Sequence, residues 1–210
     1  MERVISQSKY NRKQHKDFYM FHVIRKSGTA KFSAILIVFM LFIALNSTFN
    51  KDFTIKESTS SIIFSWVMFA FSLSIVPIIV ISRVNNVVKQ ETPERRESTE
   101  KIEVSKIKFT RSNDKIEGKI VFGWNEVESI CETDKYFYIY LSQDNGVFIV
   151  KEDIIEGDVE TFRKIALANL KKTKKGKTPY KRYGKVKKEY KAIKKIEKQQ
   201  KKLEKKQQGK

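Results

Sequence analysis

His15 and His22 stand seven residues apart and would share one face of a helix, so metal-ligating chemistry has its first opening there. A metal centre needs three or four ligands. No third follows at a suitable spacing, and both histidines read as exposed residues beside a membrane. Glu126 and Glu128 lie two apart, on the same face if they belong to a strand, and paired carboxylates can split their pKa values for acid-base work. No nucleophile or metal partner accompanies them, so they read as solvated. Cys131 is the single cysteine, which excludes an internal disulfide and a cysteine zinc cage. With neither histidine near it in sequence, it reads as a small buried or half-buried side chain. The eight glycines build no GxGxxG or GxxxxGK[ST] loop that would cradle a nucleotide phosphate. Trp124 and the tyrosines after it read as filling for the core of a small sheet. The expectation is a non-enzymatic protein without catalytic residues, metal or cofactor.

Charge is the strongest cue. The chain has 43 Lys and Arg against 24 Asp and Glu, for a net charge of +19. Residues 171 to 210 hold 19 basic and 3 acidic side chains (+16), residues 1 to 31 hold 8 and 2 (+6), and the stretch between is mildly acidic. Avidity for anions belongs to the two ends. Between Lys185 and Lys206, the residues Val186, Tyr190, Ile193, Ile196 and Leu203 fall within an arc of roughly 140° at about 100° per residue. Lysines occupy the rest, and alone such a segment would be frayed or disordered, since its charges repel. Near an anionic leaflet each lysine contributes about 1 kcal/mol. The residues expected to meet lipid are Lys185, Lys187, Lys188, Lys191, Lys194, Lys195, Lys198, Lys201 and Lys202. RNA or the ribosome would draw on the same charges through counterion release.

Two uncharged blocks must position these ends. Phe32 to Phe49 is 18 residues, roughly 27 Å of helix at about 1.5 Å per residue. Ile62 to Ile81 is longer and equally uncharged, and its Pro77 is tolerated in a membrane helix, with Ser72 and Ser74 placed to re-satisfy the carbonyl of Leu73. A dozen residues, 50 to 61, join them into a hairpin. Eight basic residues precede the first span, whereas the connecting loop has only Lys51 and Lys56. Both ends are therefore expected in the cytoplasm, and the loop outside. The apolar stretch begins too far from the N-terminus, and ends without a small-x-small pattern, for a cleaved signal peptide.

After a linker (83–100), Ile102, Val104, Ile107 and Phe109 read as one half-buried strand with a bulge at Ser105-Lys106. Arg111-Ser112-Asn113-Asp114 reads as a turn, Lys115 to Trp124 as a second strand, and Lys135 to Leu141 as a third. Gln143-Asp144-Asn145-Gly146 is a hairpin turn and Val147 to Val150 its return strand. Val159, Phe162, Ile165, Ala166 and Leu170 form the apolar stripe of a closing helix, with Asp158 as N-cap and Gly157 before it. About 70 residues make a thin core, so help is expected from another copy, the N-terminal segment or the membrane surface.

The run Trp124-Asn125-Glu126-Val127-Glu128-Ser129-Ile130, then Glu132, Tyr136 to Leu141, Phe148 to Lys151 and Phe162, resembles the C-terminal domain of YcxB-like bacterial membrane proteins. Asp17 to Val23 is similar to that family's N-terminal segment, and Val150 stands where the family often has proline. The resemblance spans most of residues 17 to 170 and implies a pleckstrin-homology-type (PH-like) sheet with a terminal helix, on a two-span membrane protein. It implies no catalytic or ligand residue.

The expected architecture is α+β: a basic N-terminal segment (1–31), transmembrane helices (32–49 and 62–82) around an external loop (50–61), a linker (83–100), a cytoplasmic PH-like domain (101–170) and a Lys-rich tail (171–210), helical or disordered. The expected function is a binding or assembly module at the inner membrane, its tail docked on anionic lipid, with a homo-oligomer or a membrane protein as further partner. Bacteriocin-type immunity and RNA or ribosome binding are the alternatives.

Overall fold

The computed structural model describes residues 2–49, 59–142 and 145–208, with backbone only for 29, 30 and 201–208. The chain forms two compact units, Asn11–Arg96 and Met1–Tyr10 together with Glu97–Lys210.

The first unit is helical. Asn11 caps α1 (Arg12–Phe21), its side chain accepting the amides of Lys13 (2.9 Å) and Gln14 (3.4 Å). A π-helical turn, His22–Lys26, leads into α2 (Gly28–Phe49). Then follow α3 (Thr59–Lys89), which contains Pro77, and the single turn α4 (Pro93–Arg96). Both α2 and α3 are long and apolar enough to cross a membrane. Near the α2 C-terminus the two helices share hydrogen bonds: the hydroxyls of Ser47 and Ser65 lie 3.2 Å apart, and Trp66 Nε1 donates to Thr48 Oγ1 at 3.1 Å. Polar contacts of this kind hold helices together where no hydrophobic drive exists between them. The outward apolar faces are bare, with Phe32 71% and Phe64 65% exposed. Residues 50–58, with Lys51 and Lys56, lie outside the described residues.

Two expectations fail in this unit. His15 is buried, its Nδ1 3.0 Å from Glu91 Oε1, because α1 packs against α3 and brings the start of the following linker to it; His22 is half-buried. Helix packing, invisible to sequence spacing, supplies that partner. Ser72 and Ser74 do not serve the carbonyl freed by Pro77. Each hydroxyl has one proton, and these go to Phe69 O (2.7 Å) and Ala70 O (3.0 Å) within their own preceding turns.

The second unit holds two sheets. β1 (Arg3–Lys9) comes from the extreme N-terminus; β2 (Thr99–Ser105), β3 (Lys108–Asn113) and β4 (Lys119–Gly123) follow the helical unit. Next come β5 (Ser129–Glu132), β6 (Tyr136–Tyr140), β7 (Gly146–Val150), β8 (Ile154–Glu156), helix α5 (Val159–Asn169), β9 (Tyr180–Arg182) and helix α6 (Gly184–Gln208). The sheet orders are β4-β3-β2-β1-β8 and β7-β6-β5-β9. Every pair is antiparallel except β5 with β9. The fold class is thus α+β, two long apolar helices followed by sheets and a packed helix. Within the basic N-terminal segment, one of the expected sources of support for the thin core, β1 is an inner strand, paired with β2 from Arg3↔Ser105 to Lys9↔Thr99.

The sheets and α5 enclose one core, in which Phe137 stacks on Phe162 with centroids 4.1 Å apart and Phe109 packs between Phe122 and Trp124. Trp124, Tyr136, Tyr138, Tyr140 and Cys131 are all buried, as expected. Asp158 caps α5 through the Thr161 amide at 2.6 Å. Gly157 is obligatory before it: φ is +77°, and a Cβ would meet Arg3 O at 2.6 Å.

Strand boundaries differ from the alternation. The chain reverses at Lys106-Ile107 because the Ser105 hydroxyl accepts the amides of Ile107 (3.3 Å) and Lys108 (3.2 Å), so one expected strand is two. Arg111 to Asn113 are strand. The turn starts at Asp114, whose carboxylate takes the Thr99 amide at 2.7 Å, while Asn113 Oδ1 takes those of Lys115 and Ile116. Only Lys119–Gly123 of the expected second strand is extended. A 3₁₀ turn ends it, where Glu126 Oε1 accepts the Gly123 amide at 2.7 Å and Glu128 is exposed. β6 and β7 pair as expected, although Gln143 and Asp144 of their turn lie outside the described residues.

Because Val4 is fully buried between β2 and β8, Val4→Ala should cost roughly 2 kcal/mol in chemical unfolding of the detergent-solubilised chain. Removing residues 2–9 should abolish the cooperative transition of the sheets altogether.

Candidate functional site

The most concentrated polar chemistry lies where α6 joins the second sheet. Glu132, the last residue of β5, is fully buried. Its Oε1 accepts Lys151 Nζ at 2.8 Å and Arg163 Nε at 3.0 Å, with Arg163 Nη2 also in contact. Its Oε2 accepts the Tyr180 hydroxyl at 2.9 Å and pairs with Arg182 Nε at 3.4 Å. One carboxylate therefore binds the turn after β7, helix α5 and strand β9 together. The main chain repeats the connection: the Tyr183 amide donates to Glu132 O at 2.8 Å, and that of Ile130 to Pro179 O at 3.0 Å.

The site extends into α6. The Arg182 guanidinium lies over the Tyr190 ring at 4.0 Å and the Tyr180 ring at 4.8 Å. Asp134, in the turn after β5, accepts the Val186 amide at 3.2 Å and so caps the helix from a distant part of the chain. Val186 is buried, which holds the root of α6 on the domain. Between α5 and α6 runs a shallow groove of about 250 Å³, whose polar lining includes Arg163, Lys164, Arg182, Glu160 and Glu189 and whose apolar lining is Leu167, Val186, Tyr190 and Ile193.

Burial alone would raise the Glu132 pKa. The hydrogen bonds from Arg163 and Lys151, and their charges, outweigh it, so the group sits below the ordinary glutamate value and is ionised at neutral pH. Burial and the Glu132 charge push Tyr180 above the usual tyrosine value, which keeps its hydroxyl a donor. Three cations surround the Glu132 carboxylate, and one of them, Arg163, is shared with Glu160.

Sequence reasoning placed function in lysines further out. Lys185, Lys187, Lys188, Lys191, Lys194, Lys195 and Lys198 are all exposed along α6, and the side chains of Lys201, Lys202 and Leu203 lie outside the described residues. The apolar stripe divides: Val186 is buried, while Tyr190, Ile193 and Ile196 are exposed. Among the described residues no cluster of three His, Cys, Asp or Glu could hold a metal ion. Neither the hub nor β9 was foreseen. The signal available was Glu132 directly after the apolar pair Ile130-Cys131, and Arg163 next to Phe162 of the closing helix's apolar stripe.

Residues 104–166 match the model of the YcxB-like protein family. The sequence resemblance is thus borne out over the stretch from Val104 in β2 to Ala166 in α5. This YcxB-like domain contains Glu132, Lys151 and Arg163, whereas β1, β9 and α6 lie outside the matched residues. No curated protein and no solved structure matches the chain.

Glu132→Gln should destabilise the YcxB-like domain by about 3 to 5 kcal/mol at neutral pH, since it leaves Lys151 and Arg182 without their carboxylate and Arg163 with only the exposed Glu160. Its folded pKa lies below the unfolded value, so its contribution is complete above the ordinary glutamate range and is lost as pH falls through the depressed value. Unfolding midpoints of wild type and Glu132→Gln should differ from about pH 6 to 8 and converge in strong acid.

Proposed function

We propose that the chain is a non-enzymatic two-span protein of the bacterial inner membrane, whose YcxB-like domain is a PH-like binding or assembly module and whose basic helix docks on anionic lipid. The observation that carries this reading is α6. It exposes Tyr190, Ile193 and Ile196 amid seven exposed lysines, and its root is fixed to the domain by the Glu132 hub and the Asp134 cap. An amphipathic helix with a lysine-rich polar face binds an interface through apolar insertion and attraction to anionic headgroups. Fixing one end lowers the ordering cost that a free tail would bear.

The bare aliphatic and aromatic surface of α2 and α3 supports burial in a bilayer, since water would disfavour a continuous apolar area of that size. β1 precedes α2 and β2 follows α3, yet the two pair residue by residue. Two crossings return the chain to its starting side, which supports one location for both flanks. The basic residues of α1 and of the turn after it support the cytoplasm as that location.

A peptide of residues 171–210 should co-sediment with vesicles containing phosphatidylglycerol and gain helical circular dichroism. It should bind pure phosphatidylcholine at least tenfold more weakly, and added salt should release it. Equal binding to both vesicle types overturns the lipid reading, and tighter, salt-sensitive binding to RNA would favour a nucleic-acid partner. In intact cells, protease added outside should leave the lysine-rich end uncut.

A further inference from the structure

The first sheet ends at β4, and among the described residues no strand pairs with its outer edge. Sheet edges usually carry charge, proline or a covering element that prevents further pairing. β4 reads Lys119-Ile120-Val121-Phe122-Gly123, with one charge at its first position. Ile120 and Val121, which point to opposite faces, are 60% and 52% exposed. Ile107, in the turn that precedes β3, is 75% exposed, and Ile116, in the turn that precedes β4, is also exposed. The opposite edge, β8, is only three residues long, and its Glu156 pairs back to Arg3 on β1 (2.5 Å).

We propose that β4 is a self-association edge, which pairs antiparallel with β4 of a second copy about a two-fold axis at Val121. The occupant follows from the strand's own pattern. In that register Val121 faces its symmetry mate, Ile120 faces Phe122, and Lys119 faces Gly123, so no like charges meet; the Gly123 amide is held by Glu126 Oε1, so the three central residues carry the pairing. The two Lys119 side chains fall about 14 Å apart, beyond the screening length at physiological salt. The contact is isologous and closes after two copies, whereas pairing of β4 with β8 would be heterologous and open-ended. The product is a continuous ten-stranded sheet. Confinement of the copies to one membrane raises the effective concentration of this short edge; that assistance rests on the bilayer reading above, and the pairing itself does not.

The test is oxidative crosslinking of the full chain in native membranes. Residues facing each other across the axis have Cα atoms about 4.5 to 5.5 Å apart, within disulfide range. Val121→Cys should give a disulfide-linked dimer at least tenfold faster than Ile155→Cys on β8, and the wild type, whose Cys131 is buried, should give none. Val121→Lys should convert detergent-solubilised dimer to monomer in light scattering while its unfolding midpoint stays unchanged, which separates lost pairing from lost folding. Crosslinking at Val121 no faster than at Ile155, capture of a different protein in place of the second copy, or a wild-type chain that is monomeric in detergent at every concentration overturns the proposal. Because the detergent arm contains no bilayer, it distinguishes failure of the pairing from failure of the membrane reading.

Discussion

The pairing of β1 with β2 is the constraint on which the molecule turns. Seven residues from the start of the chain align with seven that follow both apolar helices, and β8 closes the other side of β1. Without β1 the first sheet has two inner edges of unmet amides and carbonyls, and Ile102 and Val104 lose the layer that Val4 completes. A segment that precedes the helices thus completes the core of a domain that follows them. The pairing also joins residues nearly a hundred positions apart, so the whole helical unit is a loop closed by this sheet.

The second organising element is a buried charge. Glu132 is costly to remove from water, and its attraction to cations offsets that cost only because Lys151, Arg163, Arg182 and Tyr180 satisfy both oxygens. Such a hub adds little net stability over a packed apolar core. What it provides is registry. β9 runs parallel to β5 for three residues, and two of its side chains, Tyr180 and Arg182, reach Glu132 within the pairing Ile130↔Tyr180 to Glu132↔Arg182. There α6 begins, its root held by the Glu132 hub together with the Asp134 cap and the buried Val186.

β1 and the root of α6 are thereby tied into one small domain, and three features of the chain are chemically distinct: an apolar helix pair, a lysine-rich helix with a narrow apolar face, and a sheet edge with one charge. Each favours a surface or a second polypeptide over a small molecule.

Features that depend on local composition are legible in the residues alone. Uninterrupted apolar runs sufficed for α2 and α3, the 3.6-residue stripe from Val159 to Leu170 for α5, the Asp158 cap for its start, and the aromatic run for β6. Charge totals alone located the basic ends. Tertiary structure decided whatever depends on a distant partner. Arg3 to Lys9 has little apolar content and becomes a strand only because β2 and β8 flank it. His15 is buried because Glu91 meets it, and Tyr180 to Arg182 leaves the tail because Glu132 holds it. Turn positions near Ser105 and Asp114 went astray for a related reason: side-chain oxygens capping amides there reverse the chain where alternation of apolar residues runs straight on. Hydrophobic periodicity records which face is dry, and it carries no information about which remote group a polar residue will meet.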